Sequence, residues 1–319
     1  MSRLQKAFLR DSLNGTTQVA GFGKHPAWDD HINDIGIATE TLVLAKRFLY
    51  SEGIASQLAS GAWDQIEKSE QAIDFGHRFV WSRNDQSILG AIWASADRKG
   101  RTRFPMVICI QAGYDGTAAT CLFLASIERL SSLCKASKTQ DEVRDSFDQI
   151  RAELGETVFR SPTLYPSGSA GTPAENAIVP ALVTLSVGLK NWRSRSSGDT
   201  DRSRRAYFRL PAASNQMKEN LEFWSTYLAR HRNSDWPYLI IAPMERPWID
   251  VIVGEPISND FYCFRANESA LPITFIKTEG ARARKLEAEA RNYLQMLAIG
   301  SSAFRPIRRS WWSRFIPRL

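Results

Sequence analysis

Ser87-Ile88-Leu89-Gly90-Ala91-Ile92-Trp93-Ala94-Ser95 and Phe104-Pro105-Met106-Val107-Ile108-Cys109-Ile110-Gln111 are two short apolar runs separated by the polar connection Asp97-Arg98-Lys99-Gly100-Arg101-Thr102-Arg103. Runs of this length, rich in β-branched and apolar residues and bounded by turn formers, read as strands, and Gly100 supplies the permissive backbone a reversal needs. The pair therefore predicts a β-hairpin, and a hairpin makes its strands antiparallel. That reading sets the fold class: an α+β protein with mainly antiparallel sheets flanked by helices, not a doubly wound parallel sheet.

Further strand signals fall at about Thr17–Phe22, Arg78–Ser82, Ala206–Leu210, Tyr238–Ala242, Trp248–Val253 and Asp260–Phe264. Apolar residues at helical spacing predict helices at about Thr39–Tyr50, Ala118–Ser137, Thr139–Leu154, Ala177–Leu189, Asn215–His231 and Ala281–Ala298. Strand, helix, three strands, helix thus recurs, which is compatible with two βαβββα-like halves packed together. Ser161–Pro173, with Pro162, Pro166, Gly168, Gly171 and Pro173, is the strongest break. The expected organisation is a first α+β domain over 1–160, a linker, helix and Arg/Ser-rich loop over 161–205, a second α+β domain over 206–300, and a basic aromatic tail over 301–319.

The chain has 319 residues, 43% of them hydrophobic and 24% charged, enough for one large core or two ordinary ones. No run approaches the roughly 18–20 apolar residues that span a bilayer, and Met1–Leu13 is charged, without an apolar signal segment, so a cytoplasmic location is expected. Cys109, Cys121, Cys134 and Cys263 form no C-x-x-C pair and read as reduced thiols. The net charge of +7 is local: the arginines between Arg193 and Arg209, and those of 305–319, exceed the whole surplus. The rest of the chain is slightly acidic, which argues against a broad nucleic-acid-binding face.

Gly21-Phe22-Gly23-Lys24-His25-Pro26-Ala27-Trp28-Asp29-Asp30-His31 combines turn formers, charge and aromatics, as the 97–103 connection does. A stiff backbone presenting such side chains suits protein docking. A dinucleotide fingerprint is excluded because Pro26, with no amide hydrogen, stands where the third glycine belongs. His25, Asp29, Asp30 and His31 carry groups that suit zinc, manganese or iron, so a metal-dependent hydrolase is an alternative. The competing reading places His25 at a cap, Asp29 and Asp30 in a first helical turn started by Pro26, and ion pairs to Arg98, Arg101 or Arg103. No nucleophile elbow surrounds any serine, and no cofactor or resident metal is expected. In the tail, Arg308, Arg309, Trp311, Trp312 and Phe315 suit an aromatic anchor in a partner's groove or at a membrane surface. Peripheral binding of lipid or nucleic acid through the arginine clusters is a further alternative.

Gly23, Lys24, Pro26 and Asp30, followed some seventy residues on by Ser95, Asp97, Gly100 and Arg101 with Phe104-Pro105-Met106 entering a strand, resemble the two motifs of the TagF/ImpM family, accessory proteins of bacterial type VI secretion. The likeness covers about Val19–Gln111 and departs from the family at Asp29-Asp30-His31, where members carry Gly-Asp-Phe. It implies a non-catalytic, post-translationally acting regulator that binds a protein component of the secretion apparatus, a scaffold or a baseplate or membrane-complex protein. The residues expected to meet that partner are Lys24, His25, Trp28, Asp29, Asp30, His31, Asp97, Arg98, Arg101 and Arg103.

Overall fold

Seven strands form one antiparallel sheet in the order β1-β4-β3-β2-β6-β7-β5: Gln18–Gly23 (β1), Gly76–Arg83 (β2), Gln86–Trp93 (β3), Met106–Ala112 (β4), Ala206–Pro211 (β5), Tyr238–Pro243 (β6) and Trp248–Val253 (β7). The structure, a computed structural model, describes residues 17–69, 72–83, 86–156, 175–194, 205–231 and 236–303. The protein is α+β, as the hairpin predicts: β3 and β4 pair with Ala91 opposite Ile108 and Trp93 opposite Met106. Strands from both halves of the chain belong to a single sheet, because β2 pairs with β6, Phe79 opposite Ile241. The two halves thus share a sheet instead of each building its own.

Helices cover both faces. On one side lie α4 (Gly116–Ala136), α5 (Gln140–Glu156), α6 (Glu175–Ser194), α7 (Met217–His231) and α8 (Gly280–Ala303), whose Phe123, Ile127, Phe147, Leu182 and Leu228 join Val80, Leu89, Ile108 and Val251 of the sheet. The other side carries α1 (Glu40–Lys46), a π-helical stretch (Arg47–Ile54), α2 (Ala55–Ser60) and α3 (Ala62–Lys68). Their Leu42, Phe48, Ile54 and Trp63 pack on Phe79, Trp81, Ile88 and Val107. Covered twice, the strands have no solvated face, which is why β3, β4 and β6 read as largely unbroken apolar runs and not as alternating ones. No described helix is long and apolar enough to cross a membrane.

Two elements differ from expectation. Asp260–Phe264 is not a strand but part of a 3-10 helix, Ser258–Phe264. The Asp260 carboxylate accepts from the Ile257 amide, and the three-residue repeat stacks Phe261 on Phe264 at 5.4 Å. The predicted helix over Thr39–Tyr50 changes to a π-helix at Arg47, and two short helices, α2 and α3, follow it.

Arg209, counted from the sequence with the basic run, is fully buried on β5. It pairs bidentately with Asp250 at 2.7 and 3.0 Å and donates to the carbonyls of Ala266, Asn267 and Leu271, tying the 266–271 segment to the sheet. Arg205 pairs with Asp260.

Candidate functional site

The two loops singled out by the sequence meet at one end of the sheet, because β1 and β4 are neighbours and each loop leaves from the same edge of that pair. Gly23 closes β1 with φ +114 against the backbone of Pro105, and the Lys24 amide donates to the Pro105 carbonyl at 3.1 Å. The chain then makes a tight excursion: Trp28 N–H bonds to the His25 carbonyl, Lys24 and His31 bridge, and Ile32 N–H returns to the Gly23 carbonyl at 2.8 Å. No helix starts at Pro26; the expected capping arrangement is replaced by this closed turn. In the partner loop, Asp97 Oδ1 accepts the amides of Lys99 and Arg101 at 3.0 Å each, and Gly100 takes φ +74. An aspartate folding its own backbone in this way makes a stiff loop tip.

Between the loops stands a chain of alternating charge. Lys24 Nζ lies 2.5 Å from Asp97 Oδ2 and 3.4 Å from Asp30; Arg101 reaches Asp97 at 2.7 Å and Asp30 at 3.2 Å. Lys24 and Asp97 are buried, whereas Asp30 and Arg101 face solvent. Desolvation acts to raise the Asp97 carboxyl, but hydrogen bonds from Lys24 and Arg101 overcome it and hold the group well below the carboxylate range. Desolvation likewise opposes, and Lys24, Arg101 and His31 outweigh it, in keeping the Asp30 pKa below its ordinary value. Arginines also cap the loop's carbonyls: Arg101 Nη2 donates to Asp29 O and Arg98 Nη2 to Ala27 O, both at 2.8 Å, and the Arg98 amide to Trp28 O at 2.7 Å. Arg98 lies 3.5 Å from the Asp29 carboxylate.

Of the ten expected contact residues, then, Lys24, His25, Trp28 and Asp97 are interior. They build the patch, while Asp29, Asp30, His31, Arg98, Arg101 and Arg103 form its exposed surface. Arg103 turns away from the aspartates and pairs with Asp64 of α3 at 3.0 Å.

The metal quartet does not converge. His25 Nδ1 accepts from the Ala27 amide, so Nε2 donates to the Cys134 carbonyl at 2.8 Å; burial lowers its pKa, matching a neutral ring used as a structural tie. Among the described residues no group of three or more His, Cys, Asp and Glu side chains is placed to hold a metal. His31 meets one member of the quartet alone, Asp30 at 3.0 Å from Nδ1, and rests on aromatics, 5.1 Å from Phe104 and 5.7 Å from Tyr50.

Sequence reasoning missed the supports contributed by Tyr50, Asp64, Cys134 and Gln140, the last donating to Ala27 O at 3.2 Å. None carries a local signal, since each is brought in by helix packing. The proposed tail anchors Arg308, Arg309, Trp311, Trp312 and Phe315, and most of the Arg/Ser-rich loop, lie outside the described residues. Cys109, Cys134 and Cys263 are buried free thiols and Cys121 is partly exposed.

No protein-family model matches the chain, and no curated protein matches it. Among solved structures it is similar to PA0076 from Pseudomonas aeruginosa PAO1, with 14% identity and a TM-score of 0.40 over 82% of this chain and 100% of that one.

Proposed function

We propose that this protein is a divergent member of the TagF/ImpM family: a cytoplasmic, non-catalytic accessory protein of a type VI-like contractile secretion system that acts after translation by binding a protein of the apparatus. The observation that supports this reading is the joining of the two family-like motifs into one rigid, exposed, charged patch through Lys24, Asp97, Arg101 and Asp30. Residues held this stiffly lose little conformational entropy on docking. His25, the buried imidazole of the first loop, faces inward with both ring nitrogens engaged, which supports a structural role for it.

The test is complementation in the host. Deleting the gene is expected to change secretion by the contractile apparatus, and the wild-type chain to restore it. A double variant, Arg98→Glu with Lys99→Glu, is expected not to restore it; the lost Arg98 tie to the Ala27 carbonyl costs about 1 kcal/mol, so it should melt within about 2 °C of wild type. Full complementation by that variant, or a deletion without effect on secretion, would overturn the proposal.

A further inference from the structure

We infer that the partner presents an acidic protein surface to this patch, and that Asp29 and Asp30 act as built-in competitors for the arginines that receive it. The inference rests on the docking role proposed above and specifies its chemistry. Its basis is an asymmetry in how the charges are placed. On the loop tips Arg98, Lys99 and Arg101 are all exposed, and among the described residues Lys99 Nζ has no hydrogen-bond or ion-pair partner. The α4–α5 junction extends the same face, because His25 bonds to Cys134 O and Gln140 to Ala27 O. That junction adds exposed Lys138, and Arg144 lies over the Trp28 ring at 5.9 Å. Five cations therefore border the loop.

The acids nearby are mostly committed. Asp97 is buried against Lys24, Glu142 accepts from the amides of Lys138 and Thr139 at 2.5 and 3.2 Å, and Asp141 pairs with Arg144 at 3.0 Å. Asp29 and Asp30 oppose the arginine forks from outside, Asp29 on Arg98 at 3.5 Å and Asp30 on Arg101 at 3.2 Å, with Asp30 also 3.4 Å from Lys24 and 3.0 Å from His31. Both are largely solvent-exposed, at 65% and 62%. Exposed pairs of this length are weak and screened, so an incoming carboxylate can exchange with them at little cost. A partner's acidic side chains would take positions that Asp29 and Asp30 now hold, giving the patch positive docking character once they are displaced.

This predicts a sign that a simple contact role would not. With a fluorescein-labelled octaglutamate peptide as probe, followed by anisotropy at low salt, Asp29→Asn with Asp30→Asn is expected to tighten binding about tenfold, near threefold per charge removed. Lys99→Glu is expected to weaken it about three- to tenfold and Lys138→Gln, which sets no like charge beside the Glu142 carboxylate, about threefold. Arg282→Gln with Arg284→Gln on α8 is the control and should leave it within twofold. Equal tightening toward phosphatidylglycerol vesicles or an eight-nucleotide thymidine strand would overturn the acidic-protein assignment in favour of a general anion site. Weaker peptide binding by the Asp→Asn variant would overturn the competitor role. The complementation test separates the two levels: should the Asp→Asn variant lose function while Arg98→Glu with Lys99→Glu also loses it, the docking reading stands and the acidic-partner inference falls. Should neither matter in the host, the docking reading falls as well.

Discussion

Replacing Gly23 by alanine probes the joint on which the whole patch depends. At φ +114 the residue sits where an L side chain is strained by about 1–3 kcal/mol. A Cβ there would also lie 2.3 Å from the Pro105 carbonyl oxygen and 3.1 Å from Met106 Cα, both backbone atoms that no rotamer change can move aside. Relief requires β1 and β4 to part at their ends, which disrupts the Lys24 amide to Pro105 carbonyl hydrogen bond, worth about 1 kcal/mol. The sum is about 2–4 kcal/mol, or a drop of about 3–6 °C in melting temperature for a chain of this size. Gly100 gives the internal comparison. It is also left-handed, with φ +74, but no atom lies within 4 Å of its would-be Cβ, so only the conformational strain of about 1 kcal/mol remains. Gly76, neither left-handed nor crowded, should tolerate alanine within about 1 °C. Differential scanning fluorimetry of Gly23→Ala, Gly100→Ala and Gly76→Ala measures the order directly. Equal shifts for Gly23→Ala and Gly100→Ala would refute the close approach of the two loops.

Arg209→Met strands the Asp250 carboxylate in the interior and should cost about 3–5 kcal/mol, whereas Arg209→Met with Asp250→Leu should be the milder lesion; chemical denaturation of both decides, and a double variant worse than the single would contradict the pairing. His77 is fully buried, and burial, followed by the charges of Arg209, Arg78 and Arg265, takes its pKa down to about 3. Since the unfolded ring protonates near 6.5, its stabilising contribution is complete above that pH and is lost as the pH falls toward 3, by about 1.4 kcal/mol per unit. His77→Gln should therefore melt with a smaller difference between pH 7.5 and pH 5 than wild type, and an unchanged difference would exclude His77 as a source of acid sensitivity. Burial pushes the Cys109 and Cys134 thiols up to about 12 and raises Cys263 well above its ordinary value too, so a thiol reagent should find at most Cys121 in the native protein and all four after unfolding; two or more fast thiols would contradict the packing.

The sheet was legible where chemistry is local. The 86–93 and 106–112 strands and the turn at Gly100 follow from apolar runs and a permissive residue. Five of the other six strand assignments needed nothing more, but Asp260–Phe264 failed because aromatic residues suit a strand and a 3-10 helix alike, and only Asp260 closing back on Ile257 distinguishes them. The joining of β2 to β6 had no local signature at all. Both strands are buried on both sides, β2 with His77 and Arg78 among its buried residues, so their pattern tells that they are covered but not by which neighbour.

The site divides along the same line. The opposite charges of 29–30 and 98–101 announce that the loops can pair, and they do. The burial of Lys24 and Asp97 was hidden because an isolated lysine or aspartate is expected in water, and each becomes affordable inside only through the other. This assigns different failures to residues of one motif. Removing Lys24 or Asp97 breaks the buried pair that ties the two loops, leaving Asp97 only Arg101 and its amides or Lys24 only the more distant Asp30, so the loss must appear in stability as well as in binding. Removing Lys99, which is exposed and whose ammonium makes no hydrogen bond or ion pair with the described residues, can alter binding alone. If Lys24→Met proved as stable as wild type yet failed to bind, Lys24 would have to reach the partner itself, and the distinction between the buried residues that build the patch and the exposed ones that meet a partner would be lost.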